Sequence, residues 1–190
     1  KVVAALKPSI IIDNGDLLDF ASISRHDKLG WEEGFSVEEE LIAGMSFLRQ
    51  LQKASPSSLF LGIQSNHIDR YNNFLVKHCP QFRNVKGFKY EDQLPPGWNY
   101  HLSIRLNKNT MFLHQYHSGV HSAYNNVVKG GLNMITSHTH KMEVKPYTDY
   151  NGTRYGVQTG TLATVRNNPF FNYTMGTPLD WRAGFVVLTY

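Results

Sequence analysis

IIIDNGDLLDF, running from Ile10 to Phe20, decides how the rest of the chain is read. Three β-branched residues in succession read as a strand buried on both faces, the kind found centrally in parallel or mixed sheets. The run stops at Asp13-Asn14-Gly15-Asp16, where Gly15 permits a sharp turn at the carboxyl end of the strand. Open α/β sheets place their ligands at that end. Two carboxylates, Asp16 and Asp19, follow the turn, and a carboxylate held there is costly unless a cation meets it.

Upstream, Lys1 to Lys7 reads as the last turns of a helix ended by Pro8. A chain that leaves a helix straight into a central strand implies an earlier strand absent from the sequence. Downstream, residues 21–35 are polar and irregular. Ser36-Val-Glu-Glu39 is a capping box, and Leu41, Ile42, Met45, Leu48 and Leu51 follow at helical spacing up to Pro56. Ser58 to Gln64 is a second apolar strand, ending in Ser65-Asn66-His67, and Asp69 to His78 a helix stopped by Pro80.

Residues 81–97 read as loop. Trp98–Leu106 and Thr110–Tyr116 alternate as strands joined by a hairpin at residues 107–109, and the second ends on His114. Val120 to Lys129 is a helix closed by Gly130-Gly131. Leu132 to Thr136 is an apolar strand ending in Ser137-His138-Thr139-His140. Val144–Tyr150 and Thr153–Thr159 flank an Asn151-Gly152 hairpin turn, residues 162–180 are a loop, and Trp181 to Tyr190 closes as a strand.

At 190 residues, with 41% hydrophobic residues, the chain is expected to form a single globular domain over 1–190. No apolar run reaches the roughly 20 residues of a membrane helix, so no membrane partner is expected. The single cysteine, Cys79, excludes an intrachain disulfide and points to a reducing compartment, the cytoplasm. Residues 1–100 hold 11 Lys+Arg against 12 Asp+Glu, whereas residues 101–190 hold 8 against 3. That basic second half suits an anionic substrate such as a phosphate ester, with nucleic acid among the candidates.

Four apolar strands thus end in residues able to hold metal: Asp16, Asn66, His114 and the His138/His140 pair. Strand ends on one edge of a sheet converge, so these separated positions are expected to form one metal-sized cluster. The ligand set is oxygen and imidazole without thiolate, which suits Mn, Fe, Zn, Ni or Co and excludes a cysteine-rich structural zinc site. His117 is a rival to His114. Arg70, and His26 in the Ser24-Arg25-His26 stretch, are candidates to meet a substrate phosphate.

The order GDxxD, NH, H, HxH resembles the calcineurin-like metallophosphoesterases across essentially the whole chain, and in detail (NGDLLDF, SHTH, the late WRAGFVVL) their small bacterial and bacteriophage members. The resemblance implies a four-layer α/β/β/α sandwich of two facing mixed sheets and two divalent ions, manganese first. A metal-bridged hydroxide would hydrolyse a phosphate mono- or diester, making the protein a phosphatase, phosphodiesterase or nuclease. Asp16 resembles the bridging aspartate; Asn66, His114 and His138 resemble ligands of the second metal, and His140 a ligand of the first. His67 resembles the histidine that protonates the leaving oxygen, and Asp19 the carboxylate that orients it. The family's first motif, D-x-H, has no counterpart before Asp16, and it belongs on the strand inferred to be missing. The glycines usual before N-H and H-x-H are Ser65 and Ser137. The alternative is a degenerate, non-catalytic binding or structural domain of the same fold.

Overall fold

The computed structural model describes residues 1–25, 34–164 and 180–189. It is a mixed α/β protein with two sheets, and the chain divides into two compact units, Lys1–Leu102 and Ser103–Tyr190. No helix among the described residues is long and apolar enough to cross a membrane.

In the first unit, helix α1 (Val2–Leu6) leads into β1 (Ile10–Asp13), then α2 (Val37–Ala54), β2 (Leu59–Ile63), α3 (Asn66–His78), α4 (Tyr90–Gln93) and β3 (Trp98–His101). The three strands are all parallel, in the order β1-β2-β3. Parallel strands put their carboxyl ends on one edge, so the segments after β1 and β2 emerge side by side. The α2 capping box forms with both of its bonds: Glu39 N–H donates to Ser36 Oγ and Ser36 N–H to the Glu39 carboxylate. Met45 and Leu48 of α2 join Leu18, Phe20, Phe60, Ile68, Tyr71, Tyr90 and Trp98 in the core.

Three expectations need correction in this unit. Ile10–Ile12 were expected in a central strand buried on both faces. They are only partly buried, and among the described strands β1 stands at one end of the order. Apolar composition shows that a strand is suited to burial, whereas how far its faces are covered depends on which distant segments pack on them. Ile42, counted in the apolar stripe of α2, is 63% exposed. The stripe is narrower than its spacing implied, because the core contact runs through Gly44, Met45 and Leu48. Finally, α3 begins at Asn66 rather than Asp69, because Ser65 caps it by accepting the Ile68 N–H.

The second unit holds β4 (Ile104–Asn107), β5 (Thr110–Leu113), α5 (Ser122–Gly130), β6 (Asn133–Thr136), β7 (Met142–Asp149) and β8 (Gly152–Thr159). Its sheet runs β4-β5-β6-β8-β7, parallel in the middle three strands and antiparallel at both ends. Helix α5 packs on β8 so closely that a Cβ at Gly156 would lie 1.8 Å from the Ala123 carbonyl oxygen. Phe112, Ala123, Val127, Met134, Ile135 and Val157 form its buried interior.

Two further expectations change here. The alternating stretch 98–106 is two strands in two different sheets, since β3 pairs with β2 and β4 with β5. Alternation continued through the break and concealed it. Trp181 to Tyr190 was read as a closing strand, but its described residues, 181–189, make only an isolated bridge, Thr161 to Ala183. Their role is local: Arg182 N–H donates to the His140 carbonyl at 3.0 Å, and Thr161 N–H to the Arg182 carbonyl at 3.0 Å.

Candidate functional site

In the first unit the site is built on the turn after β1. Asp13 shapes it, its Oδ1 accepting the Gly15 N–H at 3.2 Å while Tyr100 donates its hydroxyl to Oδ2. Burial pushes the Tyr100 hydroxyl well above its ordinary pKa, so it stays protonated and remains a donor. Gly15 and Asp16 then both take left-handed backbone, at φ 91° and 59°. A non-glycine residue there carries strain, and such strain clusters at ligand sites. Leu18 and Phe20 are buried, which turns Asp19 between them toward α3. Glu40 of α2 holds the loop by accepting the N–H groups of Asp19 and Phe20, each at 2.8 Å.

Asp19 Oδ1 lies 3.0 Å from His67 Nδ1, and the Asp16 Oδ1 lies 4.0 Å from the same nitrogen. Arg70, one turn further along α3, donates from Nη1 to the Asp19 carbonyl at 2.8 Å and to Asp19 Oδ1 at 3.0 Å. Its Nη2 is 3.1 Å from His67 Nε2. A guanidinium only donates and a carboxylate only accepts. The His67 proton therefore sits on Nδ1, facing Asp19, and Nε2 presents its lone pair to Arg70. Asn66, the first residue of α3, stands beside His67 at the end of β2.

Glu40 and Asp13 were not singled out in the sequence. The Glu40 carboxyl is raised above its ordinary 4.5, mainly by burial. A carboxyl raised in the folded state lends stability that is complete below its unfolded pKa and is lost as pH rises through the folded value. Glu40→Gln should therefore gain on the wild type as pH climbs above 4.5. Urea midpoints across the acid range measure this, and a stability difference that stays flat with pH would contradict it.

In the second unit the parallel neighbours β5 and β6 end in His114 and in Ser137-His138-Thr139-His140. His114 is 4% exposed, and its Nε2 lies 3.2 Å from His138 Nδ1. His114 Nδ1 is 3.0 Å from Ser137 Oγ, whose own proton points to the His114 carbonyl at 3.4 Å. His114 is thus held through both ring nitrogens, by Ser137 on one side and His138 on the other. Ser137 thereby helps to fix the orientation of the His114 ring, a candidate ligand. His138 and His140 both have left-handed backbone, φ 50° and 58°. Of the five non-glycine residues with positive φ among those described, Asp16, His138 and His140 are three. The His140 ring meets Trp181 edge to face, with centroids 4.3 Å apart.

The donor set fits a divalent ion. Two imidazole nitrogens sharing one metal at bonds of about 2.0–2.1 Å lie roughly 2.9–3.4 Å apart, which brackets the 3.2 Å between His114 and His138. His117 differs: Asn126 Oδ1 holds its backbone N–H at 2.8 Å, its ring lies tilted against Tyr116, and its buried Nε2 has no hydrogen-bond partner among the described residues. His26 lies outside the described residues.

The chain is 26% identical over 204 residues to the "Gene 54 protein" of Mycobacterium phage L5, covering 96% of this chain and 77% of that protein. It is 25% identical over 208 residues to the "Gene 54 protein" of Mycobacterium phage D29, with the same 96% and 77% coverage. No family model matches the chain, and no solved structure matches it.

Proposed function

We propose that this protein is a divalent-metal-dependent phosphoesterase of the calcineurin-like type. The observation that carries the reading is the set of polar strand ends. In each unit, adjacent parallel strands finish in the residue types a metal and a phosphate ester require, three of them in strained backbone. Asp16, Asn66, His114, His138 and His140 would hold two ions, manganese being the first choice. When bound, such a pair supplies Lewis acidity toward phosphate oxygens and an activated water. The same reading implies that the sheets face each other within a four-layer α/β/β/α sandwich.

The chain's own residues do the rest. Asp19 fixes the ring plane of His67 and keeps one proton on Nδ1. Once Arg70 leaves His67 Nε2, that nitrogen would take a second proton from solvent, forming an imidazolium that Asp19 stabilises, and this proton would pass to the departing oxygen. A phosphate oxygen competing for the guanidinium supplies that release, so one arginine serves both anion contact and acid control. The basic second half favours an extended anion, which leans the substrate toward a diester or nucleic acid.

Release from p-nitrophenyl phosphate, bis-p-nitrophenyl phosphate and linear DNA in the presence of Mn²⁺ tests this reading. Metal-dependent hydrolysis of at least one, abolished by chelation, is the expected result. Metal binding without hydrolysis of any would favour the non-catalytic alternative.

A further inference from the structure

The second unit contains a fully buried polar network that the proposed chemistry does not use. Gln158 of β8 is 1% exposed, Thr136 of β6 is 1% exposed and Asn126 of α5 is 0% exposed. Thr136 Oγ1 accepts from Gln158 Nε2 at 2.8 Å and from Asn126 Nδ2 at 3.0 Å, and donates its proton to the Val157 carbonyl at 3.3 Å. All of that hydroxyl's capacity is then spent. With its amide nitrogen committed to Thr136, Gln158 has its Oε1 left to accept, and it takes the Thr139 hydroxyl at 2.8 Å. Asn126 Oδ1 in turn accepts the His117 N–H at 2.8 Å.

One end of this network therefore grips the segment after β5 and the other grips the middle of His138-Thr139-His140. Thr139 is flanked by the two left-handed histidines, a backbone shape that persists only where surrounding contacts over-determine it. A carboxamide buried in the middle of a sheet is costly unless it is bonded, and here the loop supplies the bond.

We propose that Gln158 and Thr139 are positioning residues that set the two histidines of the H-x-H loop for metal. The part of this inference that concerns metal rests on the phosphoesterase reading, whereas the geometric part does not. Trp181 provides a metal-free readout, because its ring current shifts the His140 ring protons at this edge-to-face contact.

Thr139→Val keeps the shape of the side chain and deletes only the hydroxyl; Thr139→Ser keeps the hydroxyl. In nuclear magnetic resonance spectra, Thr139→Val should lose the displaced His140 resonances and Thr139→Ser should retain them. Calorimetric Mn²⁺ affinity should fall about 10–100-fold in Thr139→Val and stay near wild type in Thr139→Ser, the size of effect that partners of metal ligands produce. Thermal melts of all three proteins establish that each is folded. Gln158→Met, which keeps the length and removes the amide, should reproduce the Thr139→Val pattern. Wild-type resonances and affinity in Thr139→Val would overturn the proposal, as would Val and Ser variants that behave alike. A wild-type protein that binds no Mn²⁺ would refute the metal reading, while the resonance comparison would still decide whether the hydroxyl positions the loop.

Discussion

His67→Ala is expected to leave metal bound and to cut turnover of esters with poor leaving groups by about 10²–10⁴-fold, the range general acid catalysis supplies. The ring nitrogens are engaged by Asp19 and Arg70, so the side chain can be removed without taking away a proposed ligand. Esters of p-nitrophenol, whose anion is stable, should lose much less. Metal content and the dependence of rate on leaving-group acidity measure the two halves of the claim. Equal losses on good and poor leaving groups, or a variant stripped of metal, would remove His67 from the acid role.

Gly62→Val is expected to be the most damaging single change in the first unit. Asp13, Gly62 and Tyr100 face one another across three parallel strands, in register. Tyr100 passes over Gly62 to donate its hydroxyl to Asp13, and a Cβ at Gly62 would lie 2.2 Å from the tyrosine ring. Overpacking costs about 1–3 kcal/mol, and losing a hydrogen bond to a charged group about 1.5–3 kcal/mol more. The sum is a fall in Tm of about 10 °C in a chain of this length. Tyr100→Phe removes only the hydroxyl and should show the second part alone. Adding it to Gly62→Val should cost little further, because neighbours acting through one bond are not additive. A wild-type Tm for Gly62→Val would show that the tyrosine does not need that space.

What could be read from the sequence were features governed by neighbours within a few residues. The Ser36–Glu39 box, the Gly15 turn and the Asn151-Gly152 hairpin all rest on local bonds, and each formed. The strand ends bearing Asp16, Asn66, His114 and His138 were legible for the same reason: an apolar run stopped at a polar residue. What stayed hidden depended on distant partners. Glu40 looks like one acid among three at the start of α2, and its bonds to Asp19 and Phe20 span some twenty residues of chain. Gln158 reads as an ordinary polar strand position until β6 is laid beside it. Ser65 and Ser137 stand where the resembled family usually has glycine, and only the fold shows that one caps α3 and the other bonds the His114 ring. The break between β3 and β4 escaped because alternation does not mark where one sheet is left for another.

The central claim is that the strand-end residues hold a divalent ion, and equilibrium Mn²⁺ binding to the dialysed protein tests it most directly. Wild type, Asp16→Asn and His138→Ala would be compared, with circular dichroism confirming that each variant folds. The wild type should retain Mn²⁺, and both variants should lose it together with activity. A folded wild-type protein that binds no Mn²⁺, or variants that bind it as tightly as the wild type, would contradict the account.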